Sequence, residues 1–376
     1  MKRACRGVFA LMVLPVCFAL APLRAGAAPV STFVTITVDV ESWDAGDPGT
    51  QIWGVSSVSS EAHGIGKIMD ILESRKVRGT FFLNPYEAAE HGEVQLAEIA
   101  RAIHARGHDL QLHSHPGGTY GVHRLARADL QQQLEILEEG KHLILEWTGK
   151  QVIAHRAGGF HADLTTLDAC RLAGLAVDAS LSPASPHTEL AQLLPPHNEP
   201  LMLRGILELP VTHYTQAKIG SWRSLRIVDL EASTLAELKE IIRQARSHGL
   251  PLVNILMHSF SFVRYGEPDI DLERRFEKLL DFLTSEPEIQ PITVSRFYEI
   301  WQSGGYPQSM SDGFVPYTGW WLTYLRAVED YDKGWKNSVV ALAPPVFASL
   351  AVVMMALWLS RRRCTHSSRL KPRGTP

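Results

Sequence analysis

Phe33-Val34-Thr35-Ile36-Thr37-Val38-Asp39-Val40-Glu41 is the stretch from which the fold can be read. Its first six residues are apolar or β-branched without a turn former, which predicts a strand over 33–38. Apolar character on both faces marks a strand buried between layers, as in a parallel sheet. Past the apolar run, strand alternation places Asp39 and Glu41 on one face and Val40 on the other.

Outward from this strand, the periodicity alternates between elements. Helices are predicted over 61–74, 94–106, 128–147, 164–173, 235–248, 271–285 and 296–302, the first with Ile65, Ile68, Met69 and Leu72 along one face. Strands are predicted over 78–83, 109–113, 151–155, 175–178, 207–211, 252–257 and 290–294. Repeated βα units with apolar strands imply an α/β fold with a parallel sheet covered by helices. Seven or more units over about 270 residues suit a closed or nearly closed barrel better than an open sheet. Residues 180–200, with Pro195-Pro196, read as a loop, and 303–313 as a Gly/Ser/Pro linker. The 376 residues would allow two or three domains at ~150 residues each. The pattern reduces them to one catalytic domain over 28–302.

The net charge of −3 is a sum of unlike parts. Residues 1–27 and 361–376 carry four and six basic groups and no acid, leaving 28–360 with 27 basic and 40 acidic groups, a net of −13. So acidic a body argues against nucleic-acid binding, which rests on phosphate neutralisation by Lys and Arg. Lys2, Arg3 and Arg6 precede the uncharged apolar run 8–20 and the small residues Ala25-Gly26-Ala27, which together predict a secretory signal peptide over 1–27. Residues 338–359 lack any charge and are followed at once by Arg361-Arg362-Arg363. This predicts one C-terminal transmembrane helix with a basic cytoplasmic tail over 360–376 and the body on the outer side of the cytoplasmic membrane, the periplasmic side. The exported body keeps a single cysteine, Cys170, in an apolar helical run, so it has neither an intramolecular disulfide nor a cysteine-based metal site. Residues 303–337 read as an aromatic-rich juxtamembrane linker, with Trp320, Trp321, Tyr324 and Trp335 suited to a membrane interface or to sugar binding, the former favoured by position.

In parallel βα folds the chemistry lies at the carboxyl ends of the strands. Four strand ends here carry it: Asp39 and Glu41, His113 and His115, Arg156, and His258. Two histidines and a carboxylate with an open position form a common catalytic zinc or divalent-metal set, and the spare carboxylate can serve as general base. Singly, each residue has a plain structural reading as a cap, a surface histidine or a salt-bridge partner. Their placement at successive strand ends is what points to a site.

These residues also resemble a known family. Thr37-Val38-Asp39-Val40-Glu41, Gly79-Thr80-Phe81-Phe82, Gly107-His108-Asp109 running into His113-Ser114-His115-Pro116, Arg156-Ala157-Gly158 and Leu256-Met257-His258 stand in the order seen in polysaccharide deacetylases, the NodB-homology class of carbohydrate esterase family 4. The resemblance spans about residues 33–300 and implies a distorted (β/α) barrel that removes acetyl groups from sugars with a divalent metal, zinc being the expected ion. It implies Asp39 as base, Glu41, His113 and His115 as metal ligands, Arg156 as the group that holds the base, and His258 as general acid. The first motif departs from the commonest pattern in that Val40 separates the acids and the second is Glu. The second motif sets its histidines two apart rather than four, which makes His123 the alternative ligand. The fourth motif is not placed, Glu208 and Asp178 being candidates for its supporting acid. The expected protein is a membrane-anchored hydrolase of carbon–nitrogen bonds acting on an acetylated glycan: peptidoglycan, exopolysaccharide or a lipid-linked precursor. A non-catalytic glycan-binding scaffold and a hydrolase of small non-sugar amides are the alternatives.

Overall fold

The structure, a computed structural model, describes residues 32–42, 48–55, 61–185, 188–264, 266–306 and 313–329. The expected signal peptide, membrane span and basic tail lie outside the described residues. Among the described residues no helix is long and apolar enough to cross a membrane.

The opening stretch forms strand β1, Thr32–Val40, buried along its whole length. The other strands of its sheet are β2 (Thr80–Leu83), β3 (Asp109–Ser114), β4 (Ala154–Ala157), β5 (Val177–Asp178), β6 (Leu201–Leu203) and β7 (Ile206–Glu208). A hairpin, β8 (His213–Ile219) and β9 (Trp222–Ile227), separates them from β10 (Leu252–His258), a short ribbon of β11 (Val263–Arg264) and β12 (Glu267–Pro268), and β13 (Ile289–Pro291). The nine-stranded sheet runs β10-β1-β2-β3-β4-β5-β7-β6, with β13 added to β1. Every pairing in it is parallel except β6 with β7. β1 is clamped on both edges, by β10 from Phe33↔Leu252 to Asp39↔His258 and by β13 and β2 on the other side.

The sheet curls into a half-barrel. Irregular backbone spans the gap between its ends: Val211 N–H donates to Leu181 O, Thr212 N–H to Asn254 O, and Leu256 N–H to Val228 O. The barrel is therefore nearly closed, but not by a full ring of strands, because residues 209–212 and 228–230 join it through isolated bonds and one bridge rather than as strands.

Alternation sorts the side chains into two cores. Val34, Ile36, Val38 and Val40 join the larger one, with Ile68, Leu72, Ile99 and Ile136 from the covering helices Ile65–Ser74, Glu93–Ala105 and Leu130–Thr148. The opposite face plugs the barrel with Phe33, Phe82, Ala154, Val177, Leu207 and Leu252, sealed by Val294 and Phe297 of the helix Val294–Gln302. Above this plug lies a polar layer in which Thr37 Oγ1 donates to Asn254 Oδ1 at 3.1 Å, and Gln111 Oε1 accepts from Ile153 and Ala154 N–H. Buried polar groups need such partners, and this layer is the floor on which the strand ends stand.

Two stretches differ from the sequence reading. Residues 180–200 contain a short helix, Glu189–Leu193. The supposed linker contributes the helix Gly319–Glu329, which docks on β8 through Thr323 Oγ1 donating to Gln216 O and an ion pair from Arg326 to buried Glu237. Sequence periodicity did not reveal this docking because the helix buries only Ala327 fully. Glu237 has a second duty: with Thr234 it forms a reciprocal cap on the helix Leu235–Ser247. Thr234→Ala is expected to cost about 1 kcal/mol, read as a lower urea midpoint at unchanged slope.

Candidate active site

β1 delivers Asp39 and, just beyond the strand, Glu41; β3 delivers His113, with His115 one residue past its end. Glu41 Oε2 lies 3.3 Å from His113 Nε2 and 3.2 Å from His115 Nε2. The donor atoms of these three residues all lie within 4.8 Å of one another. Donors on a tetrahedral cation at ~2.0–2.1 Å stand roughly 3.3 Å apart, so two imidazoles and a carboxylate at this spacing fit a divalent metal. His123 lines the same cavity but is not part of this cluster. The His115 ring occupies the space a side chain at 158 would need: a Cβ on Gly158 would stand 2.2 Å from His115 Cδ2. The glycine of Arg156-Ala157-Gly158 thus makes room for the His115 ring of this candidate cluster.

Charge follows the geometry. Burial would raise the Glu41 carboxyl, but His113, His115 and His258 outweigh it and bring it down to about 2. His113 is pushed up, because Asp39 and Glu41 overcome the opposing effect of its burial. His115, desolvated with less compensation, is shifted down.

Arg156 extends from β4 beneath Asp39, fully buried. Nη1 donates to Asp39 Oδ1 at 2.7 Å, Nη2 to Thr37 Oγ1 at 3.1 Å and Nε to Ala179 O at 3.1 Å. Its guanidinium carbon stacks 4.3 Å above the Phe82 ring, so the plug of the barrel also supports the arginine. Asp39 is held from below and keeps its second oxygen toward the cavity it lines.

His258, at the end of β10, is paired in register with Asp39. Its Nε2 faces Glu41 Oε1 at 3.9 Å, and its Nδ1 lies 2.9 Å from Glu231 Oε1. Glu231 also accepts from Ser261 Oγ at 2.5 Å, and Phe260 stacks on the imidazole with ring centroids 4.9 Å apart. Burial opposes protonation of His258, yet Glu231, with Asp39 and Glu41, raises it to about 10. The imidazole therefore enters neutral pH protonated, with Nε2 toward the carboxylates and the cavity.

Glu231 is the supporting acid that sequence reasoning missed. It lies in irregular backbone, where Asp229 bridges to Leu256 beside β10, and its signal was Asp229-Leu230-Glu231, the same spaced pair of acids as Asp39-Val40-Glu41. The two residues proposed for that part stand elsewhere. Asp178 and Glu208 alternate to the helix side of the sheet, opposite Val177 and Leu207 in the plug. There Ser114 Oγ and His155 Nε2 are 2.8 Å apart, and His155 Nδ1 and Asp178 Oδ1 2.7 Å apart. Burial raises the Glu208 carboxyl well above its usual range, as does the charge of Asp178. Ser114, His155, Asp178 and Cys170 are all buried. This network ties β3 to β4 and β5, and both nitrogens of His155, one of the His155, Cys170 and Asp178 cluster, are engaged in it.

Asp39, Glu41, His115 and His258 open into one cavity of about 600 Å³, walled by Asn84, Tyr86, Glu87, Glu90, Gly118 and Phe160 among others. Asn84 Oδ1 accepts from His115 N–H, and Glu87 Oε1 accepts from Ser42 N–H and Asn84 Nδ2, so this wall braces both metal-site loops.

Residues 57–177 match the family model described as polysaccharide deacetylase. Over that stretch, 121 of the 376 residues, the chain is similar to polysaccharide deacetylases. The matched stretch holds His113, His115 and Arg156, while Asp39, Glu41, Glu231 and His258 fall outside it. The fold is similar to a putative polysaccharide deacetylase from Mycobacterium smegmatis, at 19% identity and TM-score 0.51, over 74% of this chain and 93% of that one. Peptidoglycan deacetylase PdaC from Bacillus subtilis is matched at 14% identity over 74% of this chain and 95% of that one, with a TM-score of 0.38, too low to carry an argument. No curated protein matches the chain.

Gly158→Ala, which drives a methyl group into the His115 ring, is expected to weaken zinc binding by roughly 10–100-fold in a metal titration, while His123→Ala leaves affinity unchanged. Glu231→Gln removes the charge that holds His258 protonated. Its pKa then falls from about 10 toward the ordinary histidine range, so the alkaline limb of kcat/KM for acetate release should move to lower pH. An unmoved limb would exclude His258 as the titrating acid.

Proposed function

We propose that the chain is a membrane-anchored, metal-dependent deacetylase that removes acetyl groups, principally N-acetyl groups, from an extracytoplasmic polysaccharide or glycan precursor. The observation that carries this reading is one cavity lined by Glu41 and His115, which with buried His113 form an N₂O donor set, by a carboxylate held by a buried arginine (Asp39) and by an imidazole held by a carboxylate (His258). Glu41, His113 and His115 would hold the metal, with zinc the ion best suited to that donor set. Such a cation supplies Lewis-acid polarisation of the acetyl carbonyl and makes water more acidic.

The chain's own residues do the rest. Asp39, oriented by Arg156, takes a proton from the attacking water; Arg156 blocks the other carboxylate oxygen and so directs the free one into the cavity. His258 gives the proton on Nε2 to the amine as the carbon–nitrogen bond breaks, and Glu231 stabilises the imidazolium before that step. Each proton transfer of this kind contributes roughly 10²–10⁴-fold. The intact pairs Asp39–Arg156 and His258–Glu231 speak against the scaffold reading, since a binding protein has no need of either.

The compartment follows from residues outside the described structure. The signal-like 1–27, the uncharged 338–359 and the triple arginine 361–363 support a body on the outer side of the cytoplasmic membrane. Peptidoglycan, an exopolysaccharide or a lipid-linked glycan is the substrate class available there.

In the purified full-length protein, Asp39→Asn should lower acetate release from N-acetylglucosamine oligomers or peptidoglycan by about 10²–10⁴-fold with zinc content unchanged by elemental analysis. A chelator should abolish activity and added zinc restore it. Full activity in Asp39→Asn would overturn the assignment.

A further inference from the structure

The hairpin of β8 and β9 is amphipathic in an unusual way. Its tip pairs Ile219 with Trp222, and the next rung pairs Lys218 with Arg223. Ile219 is 63% exposed and Trp222 56%. Residues 213–227 contain Lys218, Arg223 and Arg226 and no acidic residue. Like charges facing each other across strands cost stability, so a rung of two exposed cations is best accounted for by an anionic surface outside the fold.

The helix Gly319–Glu329 adds to the same end. Thr318 N–H donates to Thr215 O, Thr323 Oγ1 to Gln216 O and Arg326 Nη1 to the Tyr214 hydroxyl. These contacts lay the helix against β8 alongside Tyr214, Thr215 and Gln216, beginning at its first turn. That turn carries Trp320, 52% exposed, and Trp321, 67% exposed. Two exposed tryptophans on a helix packed against β8 thus accompany the exposed isoleucine–tryptophan pair and the cations of the hairpin tip. Monomeric soluble proteins seldom leave large apolar side chains so grouped without a partner.

We propose that this end of the domain docks on the surface of the bilayer, with Trp222, Trp320 and Trp321 at headgroup level, Ile219 beside them, and Lys218 and Arg223 on anionic phospholipid. Tryptophan favours the membrane interface, and each surface cation near an anionic leaflet adds about 1 kcal/mol. The inference rests on the proposed C-terminal anchor for its geometry. The described chain ends at Glu329, and the uncharged run starts at Ser338. Eight intervening residues reach at most roughly 26–29 Å, whereas the helix of 11 residues is about 16 Å long. The span can therefore return beside the hairpin, and a tether this short keeps the domain against the surface. The patch shares no residue with the catalytic cavity, so docking would fix the orientation of the cavity relative to the membrane without entering the chemistry.

The test uses the full-length protein in vesicles of phosphatidylcholine, with and without phosphatidylglycerol, comparing wild type with Trp222→Phe and with Trp321→Phe. Each substitution should remove an emission component that is quenched by phospholipid brominated high in the acyl chain and shielded from aqueous iodide, more strongly when phosphatidylglycerol is present. Components quenched by iodide alone, shielded from both quenchers, or shielded from iodide only when a soluble glycan is added would overturn the docking. Extraction with alkaline carbonate reports the anchor separately. Protein retained by the vesicles with both tryptophans open to iodide keeps the anchor and refutes docking, whereas protein washed off at high pH but lipid-quenched at neutral pH refutes the anchor and keeps docking.

Discussion

The contact on which the site depends is the buried pair between Arg156 and Asp39. A guanidinium with no exposure and a nearly buried carboxylate are costly to take out of water, and removing one partner of such a pair typically costs about 3–5 kcal/mol. The fold meets that cost with three hydrogen bonds to the guanidinium and with the Phe82 face beneath it. Those four partners come from three places: Asp39 and Thr37 from β1, Phe82 from β2 and Ala179 from the segment after β5. The arginine can be held only if the sheet has already curled, and the carboxylate can point into the cavity only if the arginine is held. Stability and catalytic orientation share one interaction.

A second consequence is the division of labour between the two faces of each strand. On β4, Ala154 and Arg156 face the barrel interior while His155 and Ala157 face the helices. The interior supports the reaction and the helix side supports the interior, through the hydrogen-bonded chain of Ser114, His155 and Asp178. His113 and His115 lie on either side of Ser114 in sequence, so the packing of one serine sets the backbone position of both candidate ligands. The same logic explains Glu87 and Asn84, which brace the loops after β1 and β3 from the cavity wall.

The sequence was legible where local chemistry is self-sufficient. Strand β1 could be read because its buried residues open with an unbroken apolar and β-branched run, Thr32–Val38, and the long helices because one face of each is apolar. The convergence of Asp39, Glu41, His113, His115, Arg156 and His258 could be anticipated because a parallel sheet sends all its carboxyl ends to one side. Glu231 was not legible: it sits in backbone that joins the sheet by single bridges and so has no periodicity to mark it. Asp178 and Glu208 looked equivalent to it until alternation put them on the other face. The helix Gly319–Glu329 escaped for a different reason, since its docking depends on a few polar contacts rather than an apolar stripe.

Composition and local pattern alone therefore determined the α/β class, the acidic body between basic ends and the residues available for the chemistry, because these depend on neighbours a few positions apart. Which carboxylate serves which histidine, which glycine clears space for a ring, and which end of the domain presents tryptophan to its surroundings were decided by the tertiary structure. Those relations join residues up to 218 positions apart, as Ser259 with Glu41, and only the curl of the sheet brings them within reach of one another.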